Sequence, residues 1–178
     1  MNKELLLKHL RTVPDYPMKG IMFFDVTTLF KNGECFKEIV DSIYEIYKDK
    51  GITKVAGIES RGFVIGAAVA ARLGAGFVPV RKPGKLPAAT ISEAYSKEYG
   101  KDTIEMHTDS IEPGDVVLVH DDILATGGTA SAAVRLVRKF NPKSMYANFI
   151  IDITDIPRSC PIPPDVEVTS LLQLGEKD

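Results

Sequence analysis

The run Val116-Val117-Leu118-Val119 and the residues that follow it constrain this chain more than any other feature. Four apolar residues without a polar interruption read as a strand buried on both faces. The run ends at His120-Asp121-Asp122, passes through Ile123-Leu124-Ala125-Thr126 and meets Gly127-Gly128-Thr129, where a helical stretch begins. That stretch runs from Gly127 to Phe140, with Arg138 and Lys139 in its last turn and Asn141-Pro142 as its stop. A buried strand, a small-residue turn and a helix, in that order, belong to an α/β sheet. In open sheets of this kind, ligands gather at the carboxyl ends of the strands.

The rest of the chain repeats the alternation. Residues 3–12 read as an amphipathic helix with Leu6, Leu7 and Leu10 on one side, and residues 33–50 as a second helix stopped by Gly51. Short strands are expected at 55–58 and 77–80, with a buried helix over 63–73 between them, and further strands near 144–151 and 166–172. Residues 14–32, with two prolines and a Phe-Phe pair, read as irregular. Residues 82–108 are polar, with weak alternation at 89–96 and 103–107, and read as a long, poorly packed functional loop. The expectation is a single domain over 1–178 with a mainly parallel twisted sheet flanked by helices.

Composition narrows the partners. Hydrophobic residues make up 44% and charged residues 26%, enough for a full core. A net charge of −2 argues against a dedicated nucleic-acid binder, which needs a basic surplus. No apolar stretch is long enough to span a bilayer, and the N-terminus has no small-residue cleavage site, so no membrane partner is expected. The two cysteines, Cys35 and Cys160, fit no metal spacing and are consistent with a reducing cytoplasm.

The Asp-Asp-x-x-Ala-Thr-Gly-Gly-Thr string then acquires a chemical reading. Gly127 and Gly128 let backbone amides curl around an anion, and the helix start adds a favourable dipole. Thr126 and Thr129 can each donate a hydroxyl proton to the same phosphate. Asp121 and Asp122, read as exposed carboxylates at a strand end, would repel that phosphate. They suit vicinal hydroxyls of a sugar instead, so one phosphate and one ribose fit side by side. No Walker loop occurs, and Gly74-Ala75-Gly76 lacks the third glycine of a dinucleotide fingerprint.

The string resembles the phosphoribosyl-pyrophosphate signature of the type I phosphoribosyltransferases. Asp15-Tyr16-Pro17, Gly20 to Thr27, Glu59-Ser60-Arg61-Gly62-Phe63, Gly76 to Pro87 and Glu98-Tyr99-Gly100 stand in family order and narrow the resemblance to its adenine branch. The resemblance implies a flexible catalytic loop and a small hood built from the N-terminal segment. It implies magnesium-dependent transfer of 5-phosphoribosyl from phosphoribosyl pyrophosphate to adenine, and a homodimer. It assigns Asp121, Asp122, Ala125, Thr126, Gly127, Gly128 and Thr129 to the phosphoribosyl group. It assigns Glu59, Ser60, Arg61, Arg81, Lys82 and Lys85 to pyrophosphate, and Met22, Phe23, Phe24 and Ile153 to the base. Glu98 matches the proton-handling acid, and Tyr99 lies beside it in the loop. Magnesium is expected mainly on substrate phosphates and waters, with no protein cage.

Two positions depart from the family pattern. Phe24 stands where arginine is usual, and is expected to keep its backbone contacts and add apolar cover. His120 stands where an apolar residue is usual, and is expected to hydrogen-bond backbone. Other readings are a phosphoribosyltransferase for orotate, xanthine or hypoxanthine, a non-catalytic regulator that senses the sugar donor, and a structural interaction protein. The Phe23-Phe24-Asp25 and Glu98-Tyr99-Gly100 segments argue against the first, the charge against the second, and the acidic pair with its glycine loop against the third.

Overall fold

Fourteen elements follow in order in the computed structural model, which describes residues 1–97 and 100–175. They are α1 (Lys3–His9), β1 (Arg11–Pro14), β2 (Met22–Asp25), α2 (Thr27–Phe30), α3 (Gly33–Tyr47), β3 (Lys54–Ile58) and α4 (Arg61–Leu73). Then come β4 (Gly76–Val80), β5 (Thr90–Lys97), β6 (Gly100–His107), β7 (Val116–Leu124), α5 (Gly128–Arg138), β8 (Ser144–Ile153) and β9 (Glu167–Leu174). Five strands form one sheet in the order β4-β3-β7-β8-β9, every pair parallel.

The alternation of a strand sends successive side chains to opposite faces. On β7, Val116 and Leu118 join a core built with α3 and α4, where Ile39, Ile43, Tyr47, Ile65 and Val69 are buried. Val117 and Val119 join a second core with Ala133, Val134 and Val137 of α5. The central strand therefore has no solvent face, which is why its sequence is a continuous apolar run. Asn32 caps α3 by accepting from the Glu34 and Cys35 amides at 3.0 and 3.1 Å.

Two expectations are corrected. Residues 14–32 are not simply irregular: β1 and β2 pair antiparallel, Arg11 opposite Asp25 and Pro14 opposite Met22. Four-residue strands are too short to announce themselves by periodicity, and a tertiary contact holds them, since the Arg11 amide donates to Thr28 Oγ1 at 3.1 Å. Residues 90–97 and 100–107, within the stretch read as a poorly packed loop, are not poorly packed either. β5 and β6 pair antiparallel, and Tyr95, Ile104 and Met106 are buried in the core beside α5. The alternation at 89–96 and 103–107 was the signal of that hairpin. Among the described residues, no helix is long and apolar enough to cross a membrane.

Candidate active site

The parity of β7 decides where its two carboxylates go. Asp122 continues the face of Leu118 and His120 and meets α4, where Arg61 Nε donates to its Oδ2. Asp121 continues the opposite face. It borders a cavity of about 140 Å³ together with Glu59, Arg81, Lys82, Tyr95 and Thr129. The reading of both acids as exposed is corrected here: Asp122 is 4% exposed. Burial, and then the charge of Asp122 beside it, push the Asp121 carboxyl well above the usual carboxylate range. The Asp122 amide donates to Asp121 Oδ1 at 2.9 Å. Gly62 permits this crowding, since a Cβ there would meet His120 O at 2.9 Å and Asp121 Oδ1 at 3.0 Å.

Residues 125–129 form the turn into α5. Gly127 has φ +85°, the left-handed region, and a Cβ on it would lie 2.4 Å from the Cys160 carbonyl oxygen. The segment that makes this close approach braces the turn. The Cys160 amide donates to Thr126 O at 3.3 Å, Ser131 Oγ donates to Pro161 O at 3.2 Å, and Arg158 Nη1 donates to the carbonyls of Leu124 and Ala125. Arg158 Nη2 is held in turn by Asp152. No sequence motif marked Arg158; its role depends on the folded chain bringing it to the carbonyls at the end of β7. Gly128 is buried at the helix start, and the first amides of a helix have no partner within it.

The pyrophosphate candidates divide. Glu59 Oε2 accepts from Arg81 Nε at 3.3 Å and from the Lys82 amide at 3.0 Å, while Oε1 accepts from Lys85 Nζ. Burial opposes ionisation, yet bonds from Lys85, the Lys82 amide and Arg81 bring Glu59 down to about 2. Glu59 is thus the anchor of the cations Arg81 and Lys85. Lys82 instead reaches Asp102 and the Tyr95 hydroxyl. Ser60 is exposed at the start of α4 and makes no capping bond.

On β2, alternation separates the two phenylalanines. Phe23 is half-buried, its ring edge-on to Tyr16 at 5.1 Å and 5.6 Å from the Arg61 guanidinium carbon. Phe24 is 1% exposed in the core with Leu6, Val26 and Leu29, so its ring gives no cover to a ligand and only its backbone is available. Ile153 is likewise buried, at 6% exposure, and Met22 is half-buried. His120 bonds a side chain beside the expected backbone: its Nδ1 donates to Asn148 Oδ1 at 3.2 Å, because Asn148 Nδ2 is committed to Thr169 Oγ1 at 2.9 Å. Glu98 and Tyr99 lie outside the described residues.

The arrangement thus brings Arg61, Asp121, Asp122, Glu59, Arg81 and the turn 125–129 to the carboxyl ends of β3, β4 and β7. A larger cavity, about 530 Å³, lies at the amino ends of β8 and β9. Among its lining charges, Arg138 pairs with Asp165, and Glu167 pairs with Lys50.

Comparison with known proteins decides the family. The phosphoribosyl transferase domain matches residues 25–155. The adenine phosphoribosyltransferase of Phocaeicola vulgatus is 59% identical over 174 residues, covering 98% of this chain and all of that protein. The chain belongs to the adenine phosphoribosyltransferases. The crystal structure of the family member from Rhodothermus marinus superposes with a TM-score of 0.90 at 48% identity, covering 96% of this chain and 97% of that one. The Giardia lamblia enzyme, solved with 9-deazaadenine, gives 0.91 at 36% identity over 98% of both chains. In this phosphoribosyltransferase the matched region runs from Asp25 at the end of β2 to Asp155 beyond β8. It takes in the acidic pair, the glycine turn and the cations held by Glu59.

Proposed function

We propose that this phosphoribosyltransferase moves 5-phosphoribosyl from phosphoribosyl pyrophosphate to adenine, giving AMP and pyrophosphate, and that residues 1–178 act as one domain. The observation that carries the reading is the split of Asp121 and Asp122 beside a glycine turn, which supports a ribose and a phosphate held together. Asp121 and Asp122 accept from the two ring hydroxyls of the ribose. Ala125, Thr126, Gly127, Gly128 and Thr129 hold the 5-phosphate through amides and hydroxyls. Arg81 and Lys85 turn from Glu59 to the pyrophosphate, with Ser60, Arg61 and Lys82 beside them, and offset the charge that grows as it leaves.

The base lies against Phe23. The backbone of Met22 and Phe24 reads the amidine edge, accepting from the exocyclic amine and donating to the ring nitrogen. An oxo-purine puts an oxygen where an amine is required, which discriminates strongly. As the purine nitrogen bonds the anomeric carbon, the bond to pyrophosphate breaks and its electron pair leaves with the pyrophosphate oxygen. Glu98 takes up or shares the purine proton.

Magnesium fits the charges present. Asp121 and Asp122 crowd two carboxylates against one guanidinium, and a divalent ion on the donor's phosphates relieves that excess. Bound there, it supplies Lewis-acid stabilisation of the leaving group. Among the described residues no side-chain cluster would hold a metal alone. A homodimer and a cytoplasmic setting belong to the same proposal. The outward residues of α4, with Val64 42% exposed, support a pairing face, and the free thiols of Cys35 and Cys160 support a reducing compartment. Incubation with donor, magnesium and a panel of bases tests the activity through pyrophosphate release. Adenine is expected to lead by a wide margin; equal turnover of hypoxanthine overturns the base assignment.

A further inference from the structure

Tyr95 sits where three separate parts of the chain meet, and it is 5% exposed. Its hydroxyl lies 3.1 Å from Lys82 Nζ, which follows β4, 3.1 Å from Asp102 Oδ2 on β6, and 3.2 Å from Thr129 Oγ1 in the first turn of α5. Proton counting assigns each bond. A carboxylate can only accept, so the phenol proton goes to Asp102. An ammonium can only donate, so Lys82 gives to the phenol oxygen. The phenol proton being spent, the Thr129 hydroxyl must be the donor in the third bond. The proton of Thr129 therefore points at Tyr95.

A phosphate oxygen bound by the Thr129 hydroxyl needs that same proton. The two bonds exclude each other. We propose that Tyr95 is a positioning residue that competes with the donor's phosphate for the Thr129 hydroxyl, so that filling the phosphate turn loosens the β5–β6 hairpin from α5. The inference rests on the reading of residues 125–129 as the phosphate turn. The hairpin packs on α5 through the buried Tyr95, Ile104 and Met106, and its polar ties to the helix are few. Glu93, on the same face as Tyr95, holds Arg135 at 2.7 Å and Lys139 at 2.7 Å further along the helix. Those two pairs are partly exposed and contribute little each. The Tyr95 bond is buried and lies at the end of the helix that meets the ligand.

Ribose 5-phosphate is the probe, read by calorimetry and by hydrogen exchange of residues 90–97 and 100–107. In the unaltered protein, saturation should speed exchange in both strands. Tyr95→Phe keeps the ring and removes the competitor. It should bind ribose 5-phosphate about threefold to tenfold more tightly, the worth of one net hydrogen bond. Its strands should exchange fast without ligand and change no further with it. Thr129→Val should weaken binding whether or not Tyr95 is altered. Unchanged exchange in the unaltered protein on saturation overturns the inference, as does Tyr95→Phe binding no more tightly. Thr129→Val binding as well as the unaltered protein overturns the phosphate-turn reading instead, and the inference with it.

Discussion

The acids of β7 illustrate how one position on a strand changes what a residue does. Asp122 is buried against Arg61, so its ionised form is matched by a cation. Asp121 carries a carboxyl raised well above its ordinary value, so folding disfavours its charge. Its stabilising contribution is full below the unfolded pKa and is lost as pH rises through the folded one. Asp121→Asn is therefore expected to lower transfer at least ~10²-fold while leaving the melting temperature at neutral pH unchanged or higher. Asp122→Asn should lose activity and also stability, by about 1–2 kcal/mol, since Arg61 is partly solvated and screens some of the loss. Calorimetry beside an activity assay separates the two; a destabilised Asp121→Asn would count against the assignment.

His120 obeys the opposite sign. Burial lowers its pKa from 6.5 to about 4, against the opposing bond to Asn148. Its contribution is full above pH 6.5 and is lost as pH falls toward 4, on the order of 3 kcal/mol at the acid end. His120→Gln should flatten urea stability between pH 7 and pH 4.5 relative to the unaltered protein. An equal slope in both would show that other groups govern acid sensitivity. Asp121 titrates with the opposite sign, and the difference between the two proteins removes its share.

At the scale of elements, the turn 125–129, proposed to take the phosphate, is held from outside. At the end of β7, Arg158 donates to the carbonyls of both Leu124 and Ala125. Arg158→Met keeps much of the apolar stem and removes the donors. It is expected to raise the donor KM about tenfold with kcat little changed, because it loosens the binding turn and touches no reacting atom. Steady-state kinetics with varied donor checks this. A fall in kcat at unchanged KM would place Arg158 in the chemical step.

Taken whole, the molecule is a sheet that divides two cores. Phe149 and Ile150 are neighbours on β8 and both fully buried, Phe149 on the α5 side and Ile150 on the α3 side. Each truncation to alanine should cost about 2–5 kcal/mol. Both variants should still unfold in one transition, because either core shares every central strand with the other. Urea unfolding followed by circular dichroism and by tyrosine fluorescence tests this, and non-coincident curves would show that the layers unfold separately.

What the sequence alone determined is local chemistry. The apolar run at 116–119 required burial on both faces, the left-handed position after it required glycine, and the order strand, acids, small turn, helix marked the strand end as the place to look for a ligand. The helices around Ile39 and Val134 were legible because amphipathic spacing records which face is buried. Tertiary structure alone decided which acid is covered, since that depends on α4 delivering Arg61 from a residue sixty-one places away. It decided that Phe24 belongs to the core while Phe23 faces the site, because only pairing with β1 fixes the parity of β2. It also made the 90–107 hairpin a packed element. Its alternation is weak along the chain, and the helix that buries Tyr95 and Ile104 lies beyond the next strand. Burial is a relation between segments, and a segment records it only when its own periodicity is long enough to be read.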